Sequence, residues 1–241
     1  MLKILFLDIE TSLTQTLSFG IRKQYIADYQ IVEPSHIMCW TAKWKGKNNK
    51  PIFHSNPNSN PTTERRMLVA LRNLMDEADL IVHYNGKSFD NKVIRWHLMK
   101  NKISPPSPYK QLDLYSVMKT ASPESRKLDY VAREFGIGSK LEHEGFDLWK
   151  KCLYGDKQAW DKMKKYNIQD VKLLEQLHNY LHDWLPSIIF DDVDTCTHPR
   201  LKASGYYRTK QATYIQEYCP DCKQYMRGAK ISTTKHPVIP I

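Results

Sequence analysis

Four carboxylates and one tyrosine, spread over three segments of the chain, have the types and spacing needed for metal-assisted chemistry. Asp8 and Glu10 lie in Leu5-Phe6-Leu7-Asp8-Ile9-Glu10-Thr11. Two residues apart on a strand, they project from one face, and like charges that close raise each other's pKa unless a cation sits between them. Asp90 closes Asn85-Gly86-Lys87-Ser88-Phe89-Asp90, and Tyr166 and Asp170 bracket Asn167-Ile168-Gln169. Four apart on a helix, Tyr166 and Asp170 stack one above the other. Asp170 then falls within the apolar stripe Met163, Tyr166, Leu174, Leu177, Leu181, where an uncompensated charge is costly. A set of carboxylates without Cys or His selects Mg²⁺ or Mn²⁺ over zinc. Two such ions about 4 Å apart activate water, stabilise a leaving oxygen and neutralise phosphate in an in-line displacement.

Those residues need a frame, and the hydrophobic pattern supplies one. Residues 2–9 form a continuous apolar strand, and Ile37–Trp44 with Pro51–His54 read as a hairpin around Gly46-Lys47-Asn48-Asn49. Thr63–Ala78 carries a helical stripe of Met67, Leu71, Leu74 and Ala78. Leu80–Tyr84 is a short buried strand broken by Asn85-Gly86, and a second helix follows with Asp90 near its start and Val93, Ile94 and Leu98 inside. Pro105, Pro106 and Pro108 stiffen a loop before Asp113, which can N-cap a helix over 114–119. The long final helix ends near Pro186. Strands and helices alternating after a hairpin predict an α/β fold, a ribonuclease H-like mixed sheet flanked by helices.

At 241 residues the chain can hold one full α/β core and a small appendage. No apolar run approaches the ~20 residues of a membrane span, and the opening apolar run meets Asp8 and Glu10 too soon for a signal peptide. A soluble, cytoplasmic protein with no membrane partner is expected. The net charge of +10 favours a polyanionic partner. Lys43, Lys45, Lys47 and Lys50 surround Trp40 and Trp44. They form either a surface for phosphates and stacked bases or a solvated hairpin whose tryptophans pack inward.

Asp191–Asp194 reads as a short linker, and residues 195–241 lack long apolar periodicity and cannot build a core unaided. They carry Cys196, His198, Cys219 and Cys222, spaced as one structural zinc site in a zinc-ribbon-like module, with His236 able to replace His198. A reducing cytosol disfavours a Cys219–Cys222 disulfide, and the βαβ context of a redox motif is missing. Cys39 and Cys152 read as inert core thiols. Arg200, Lys202, Arg208, Lys210, Lys223, Arg227 and Lys230, interleaved with Tyr206, Tyr207, Tyr214 and Tyr225, favour nucleic-acid contact.

In order and context the three motifs resemble the DEDD superfamily of 3′→5′ exonucleases. They resemble more closely the stand-alone phage and bacterial relatives of the family-B DNA polymerase proofreading domain that carry a C-terminal zinc ribbon. The resemblance covers roughly the first 190 residues, including Ser125–Ala132, Gly136–Lys140 and Gly155-Asp156. Lys165 followed by Tyr166 matches the tyrosine branch. The resemblance implies an exonuclease domain over 1–190 and a nucleic-acid-binding module over 191–241. Asp8 would bridge two ions, Glu10 and Asp170 would complete the ion that binds the attacking water, Asp90 would hold the second, and Tyr166 would orient the water. Thr11, Asn85, Gly86 and Phe89 would meet the substrate strand, with Phe89 wedging at a base or filling core. Lys43, Lys45, Arg208 and Lys210 would add phosphate contacts. The expected substrate is single-stranded or frayed DNA in replication, repair or phage DNA metabolism, and any proofreading role requires a partner polymerase or other replication protein. RNA or a structured junction is the alternative substrate. A non-catalytic nucleic-acid-binding adaptor is the alternative class, and the intact set of five residues argues against it.

Overall fold

The computed structural model describes residues 2–20, 22, 25–46, 48–185, 199–209, 211–220 and 225–233. Its organising element is β1 (Ile4–Thr11), buried on both faces. β1 pairs antiparallel with β4 (Ile37–Trp44), which pairs with β5 (Ile52–Ser55). On its other side β1 pairs parallel with β6 (Leu80–His83), which pairs with β7 (Lys110–Asp113). The resulting five-stranded mixed sheet has the order β5-β4-β1-β6-β7. Between β1 and β4 lies a small hairpin of β2 (Gln15–Thr16) and β3 (Ile31–Glu33).

Alternation along β1 divides the molecule into layers. Leu5, Leu7 and Ile9 pack with α1 (Pro61–Glu77) and α2 (Asp90–Lys100). Ile4 and Phe6 pack on the opposite face with α3 (Leu114–Ala121), α4 (Leu128–Glu134) and α6 (Lys157–Tyr180). Asp8 and Glu10 continue the Ile4–Phe6 row and therefore face α6. Burying Phe6 or Leu5 stabilises by about 1.5–3 kcal/mol each, which holds the carboxylate end of the strand in place. The preceding helix, α5 (Phe146–Leu153), contributes Leu148 and Cys152 to a smaller cluster with Cys39, Met163 and Tyr166.

Local signals start the long helices. The Asn60 side chain accepts from Thr62 N and Thr63 N, with Pro61 at the first helical position of α1. Asp156 accepts from Ala159 N at 3.0 Å and opens α6. Asp113 is the N-cap of α3, accepting from Tyr115 N at 3.1 Å. Among the described residues no helix is long and apolar enough to cross a membrane.

The C-terminal segment forms a three-stranded antiparallel sheet of β8 (Lys202–Arg208), β9 (Ala212–Tyr218) and β10 (Tyr225–Thr233), in the order β10-β9-β8. Aromatic packing replaces a conventional core. The Arg227 guanidinium lies 4.5 Å from the Tyr207 ring centre and 4.8 Å from that of Tyr214. It donates to Glu77 O at 2.6 Å and pairs with Asp79 at 2.9 Å. Gln211 reaches Asn73 at 2.6 Å. Asp79 also accepts from Lys3 N at 2.8 Å, so the sheet docks at the end of β1 remote from Asp8 and Glu10.

Candidate active site

The i, i+3/i+4 stripe of α6 brings Tyr166, Asn167 and Asp170 over the carboxylate end of β1, all three buried. Ligand atoms of Asp8, Glu10 and Asp170 lie within 4.8 Å of one another. Lys140, from the loop after α4, places its Nζ 2.6 Å from Asp170 Oδ2 and donates to the Tyr166 hydroxyl at 3.0 Å. Asn167 Nδ2 donates to Asp8 Oδ2 at 2.6 Å, while its Oδ1 accepts from Thr41 Oγ1 at 2.6 Å. This relay fixes the Asp8 carboxylate in orientation. Asp90, the first residue of α2, accepts from Ile9 N at 3.2 Å and lies outside the three-carboxylate group.

Positive charge is scarce here. Burial, then the charges of Asp90, Glu10 and Asp170, raises the Asp8 pKa well above the carboxylate range. Burial and Asp170 lift Glu10 to about 8, and burial lifts Asp90 to about 6. Burial also raises Asp170, with Lys140 offsetting only part of it. Burial works against the Lys140 ammonium, yet Asp170 and Tyr166 hold its proton and the net shift is upward. The Tyr166 hydroxyl is pushed up by burial and by Asp170. One ammonium faces four carboxylates, and Asp170 Oδ1 is buried without a hydrogen-bond partner among the described residues. An all-oxygen donor set with an orphaned buried oxygen fits hard divalent cations.

A cavity of about 450 Å³ opens beside Asp8, lined by Tyr84, Asn85, Tyr115, Arg126, Lys127 and Lys140 among others. Tyr84 meets Tyr115 edge to face at 5.7 Å and donates to Arg126 O at 2.6 Å. Asp113 shapes this wall as well as capping α3, accepting from Asn85 N at 2.7 Å and Lys87 N at 3.2 Å. Asn85 takes a left-handed φ of 65°. Packing alone requires Gly86, since a Cβ there would sit 2.5 Å from the His83 ring. Its missing side chain makes room for His83. Phe89 is exposed at the start of α2 and does not fill core.

Three members of the lysine–tryptophan cluster, Trp40, Trp44 and Lys43, are taken up by packing. Trp40 is fully buried, donating to Met67 O at 3.1 Å and stacking on His54, and Trp44 packs against the same core. Lys43 is a correction to the expected phosphate contacts. Its ammonium is buried in a 2.6 Å pair with Glu175 and a 2.8 Å bond to Gly46 O, and breaking such a pair for phosphate is expensive. Lys45 and Thr11 are partly exposed, and Arg208 is exposed on β8. Cys219 is buried immediately after β9. Cys196, His198, Cys222, His236 and Lys210 lie outside the described residues. Cys39 and Cys152 are buried thiols, as expected. Sequence reasoning missed Lys140, Asn167 and Thr41. A polar residue inside a helical apolar stripe was the available signal for Asn167, whereas nothing periodic marks Lys140.

No curated protein matches the chain. Among solved structures it is similar to the family B DNA polymerase of the hyperthermophilic archaeon Pyrobaculum calidifontis, with a TM-score of 0.58 and 14% identity over 90% of this chain and 32% of that one. The chain thus spans about a third of that polymerase's length, and the likeness is one of fold. The RNase_H_2 family model of the RNase_H superfamily matches residues 32–182, a span holding Asp90, Lys140, Tyr166 and Asp170 while Asp8 and Glu10 lie just upstream. By that match the chain belongs to the RNase_H_2 family of the RNase H superfamily.

Proposed function

We propose that this protein is a metal-dependent 3′→5′ exonuclease acting on single-stranded or frayed DNA ends. The observation that carries the proposal is the convergence of Asp8, Glu10 and Asp170 within 4.8 Å, with a buried unpartnered oxygen on Asp170. Asp8, Glu10 and Asp170 would hold one Mg²⁺ or Mn²⁺, and Asp8 with Asp90 a second. Bound there, the ions would supply Lewis-acid stabilisation of the phosphate and acidify a water.

The chain's own residues do the positioning. Asn167 and Thr41 lock Asp8. Tyr166 accepts from Lys140 and its hydroxyl also hydrogen-bonds Asp170; with Asp170 engaged by an ion, that proton would orient a water, the larger share of its role given its raised pKa. The cavity beside Asp8 takes the terminal nucleotide between Tyr84 and Asn85, and Thr11 and Phe89 border the strand. The 3′→5′ polarity rests on the resemblance of the motifs to proofreading exonucleases. Residues 191–241 form a nucleic-acid-binding module in which Cys196, His198, Cys219 and Cys222 bind one zinc and Arg208, Lys210 and Lys45 add phosphate contacts. We place the protein in the cytoplasm, in phage or cellular DNA metabolism, alongside a polymerase or other replication protein. End-labelled DNA and RNA oligonucleotides, labelled at either end and incubated with Mg²⁺, Mn²⁺ or chelator, test the assignment. Metal-dependent laddering of DNA from the 3′ end is expected. Laddering of RNA alone, or none with either metal, overturns it.

A further inference from the structure

The β2–β3 hairpin, residues 15–33, leaves its largest side chains in solvent. Phe19 is 109% exposed, Tyr25 89% and Tyr29 88%, and Leu17 and Val32 are exposed beside them. Polar bonds close the hairpin and its base on themselves. Ser12 N donates to His36 O at 2.8 Å, Ser35 Oγ to Ser12 O at 2.8 Å, Gln15 to Glu33 at 2.5 Å and Leu17 N to Gln30 O at 2.9 Å. An isolated two-stranded hairpin is marginal in water. The exposed aromatics therefore add nothing to its stability while raising the risk of association. Their place in the molecule says what covers them. The hairpin leaves the sheet shortly after Thr11, at the carboxylate end of β1. Gln15 lies at most about 18 Å of chain beyond Glu10, or about five stacked nucleotides at 3.4 Å each.

We propose that Phe19, Tyr25 and Tyr29 form a stacking platform for unpaired bases of the nucleic-acid strand leading into the carboxylate cluster. The proposal rests on the nuclease reading for its substrate class, and adds a binding surface to it. Aromatic faces stack on any base, and adjacent cations track the backbone. In the sequence Arg22 and Lys23 fall between Phe19 and Tyr25, and Asp28 is the one acid between Leu17 and Val32. A second copy of the chain is a poor occupant, because each copy carries a net charge of +10 and the two repel.

The test is an oligonucleotide carrying 2-aminopurine at successive positions from its 3′ end, bound to the full chain in chelator so that no cleavage is needed. Fluorescence quenching is expected at positions about three to six nucleotides from the end. The combined Phe19→Ala, Tyr25→Ala, Tyr29→Ala variant should lose that quenching and bind at least about 10-fold more weakly. The aromatic-preserving variant Phe19→Tyr, Tyr25→Phe, Tyr29→Phe should restore both. Unchanged quenching and affinity in the alanine variant overturn the inference, as does a change confined to oligomeric state. Stacking without metal-dependent cleavage leaves the inference standing and overturns the nuclease reading. Cleavage without hairpin-dependent stacking does the reverse.

Discussion

Lys140 Nζ lies 2.6 Å from Asp170 Oδ2 and is the cation that balances a helix carboxylate buried in the core. Without metal this ammonium does electrostatically what a divalent ion held by Asp170 would do, so such an ion would compete with the lysine for the same oxygens. Lys140→Met keeps the aliphatic stem and removes the charge. Metal-free stability should fall by about 1–3 kcal/mol, with proton uptake by Asp170 limiting the loss. Excess Mg²⁺ should recover most of it, and kcat should still drop if the ammonium also meets the phosphate. Chemical denaturation with and without Mg²⁺ measures the first effect. A variant as stable as wild type in chelator would show that Asp170 does not depend on Lys140.

Tyr166 packs its ring against His143 and Trp149 and offers only its hydroxyl to the cluster. Tyr166→Phe should therefore fold normally and lower kcat by roughly 10–1000-fold with substrate affinity nearly unchanged. Single-turnover kinetics beside equilibrium binding separates the two. Collapse of affinity with a surviving single-turnover rate would make the hydroxyl a substrate contact.

The raised carboxylates give the metal-free protein an unusual pH dependence. Glu10 titrates at about 8 in the fold against 4.5 ordinarily, and Asp90 at about 6 against 3.8. Over these windows the native state holds protons that the unfolded chain has released, so stability falls as pH rises, by up to about 1.4 kcal/mol per pH unit for each retained proton. The loss should begin above about pH 4 and be complete near about pH 8. Because cations bind the ionised carboxylates, Mg²⁺ should raise Tm more at about pH 8 than at about pH 6. Scanning calorimetry across pH in chelator and in Mg²⁺ checks the sign, and a metal-free Tm that climbs over that range contradicts it.

What could be read from the sequence followed periodicity. Asp8 and Glu10 lie two apart on a strand, and Tyr166 and Asp170 four apart on a helix, so two repeats known in advance predict that they face each other. Lys140 sits on an irregular loop and meets Asp170 from thirty residues away, a contact that no local pattern encodes. The lysines and tryptophans around residue 43 are ambiguous in the sequence because alternation does not reveal whether a strand is covered on both faces. Trp40 packs under α1 on one face of β4, and α6 covers the other, where Lys43 meets Glu175. The β2–β3 hairpin and the docking of Arg227 between two tyrosines leave no trace there because neither depends on an apolar repeat.

The zinc assignment can be checked by composition. About one zinc per purified chain is expected, and Cys219→Ser should lose it together with order in the C-terminal sheet, because so small a module depends on its metal for folding. Elemental analysis without zinc in the wild-type protein removes the zinc-ribbon assignment.

The C-terminal sheet is held to the α/β core by Arg227, which lies against Tyr207 and Tyr214 and pairs with Asp79. Arg227→Ala removes the cation from two rings, a carboxylate and the Glu77 carbonyl at once, and losing one member of a buried pair costs about 3–5 kcal/mol. That exceeds what the remaining Gln211–Asn73 bond can supply, so the sheet should undock and become sensitive to limited proteolysis while the core survives. The docking point is at the Lys3 end of β1, and Asp8 is five residues further along, about 17 Å at the rise of a strand. Cleavage of a trinucleotide should therefore be unaffected. Binding to long single strands should weaken, with the slope of log affinity against log salt shallower by about 0.7 for each phosphate the sheet no longer neutralises. Equal weakening on trinucleotide and long strand would mean that Arg227 supports the α/β core itself, and an unchanged salt slope would mean that the sheet does not touch the nucleic acid.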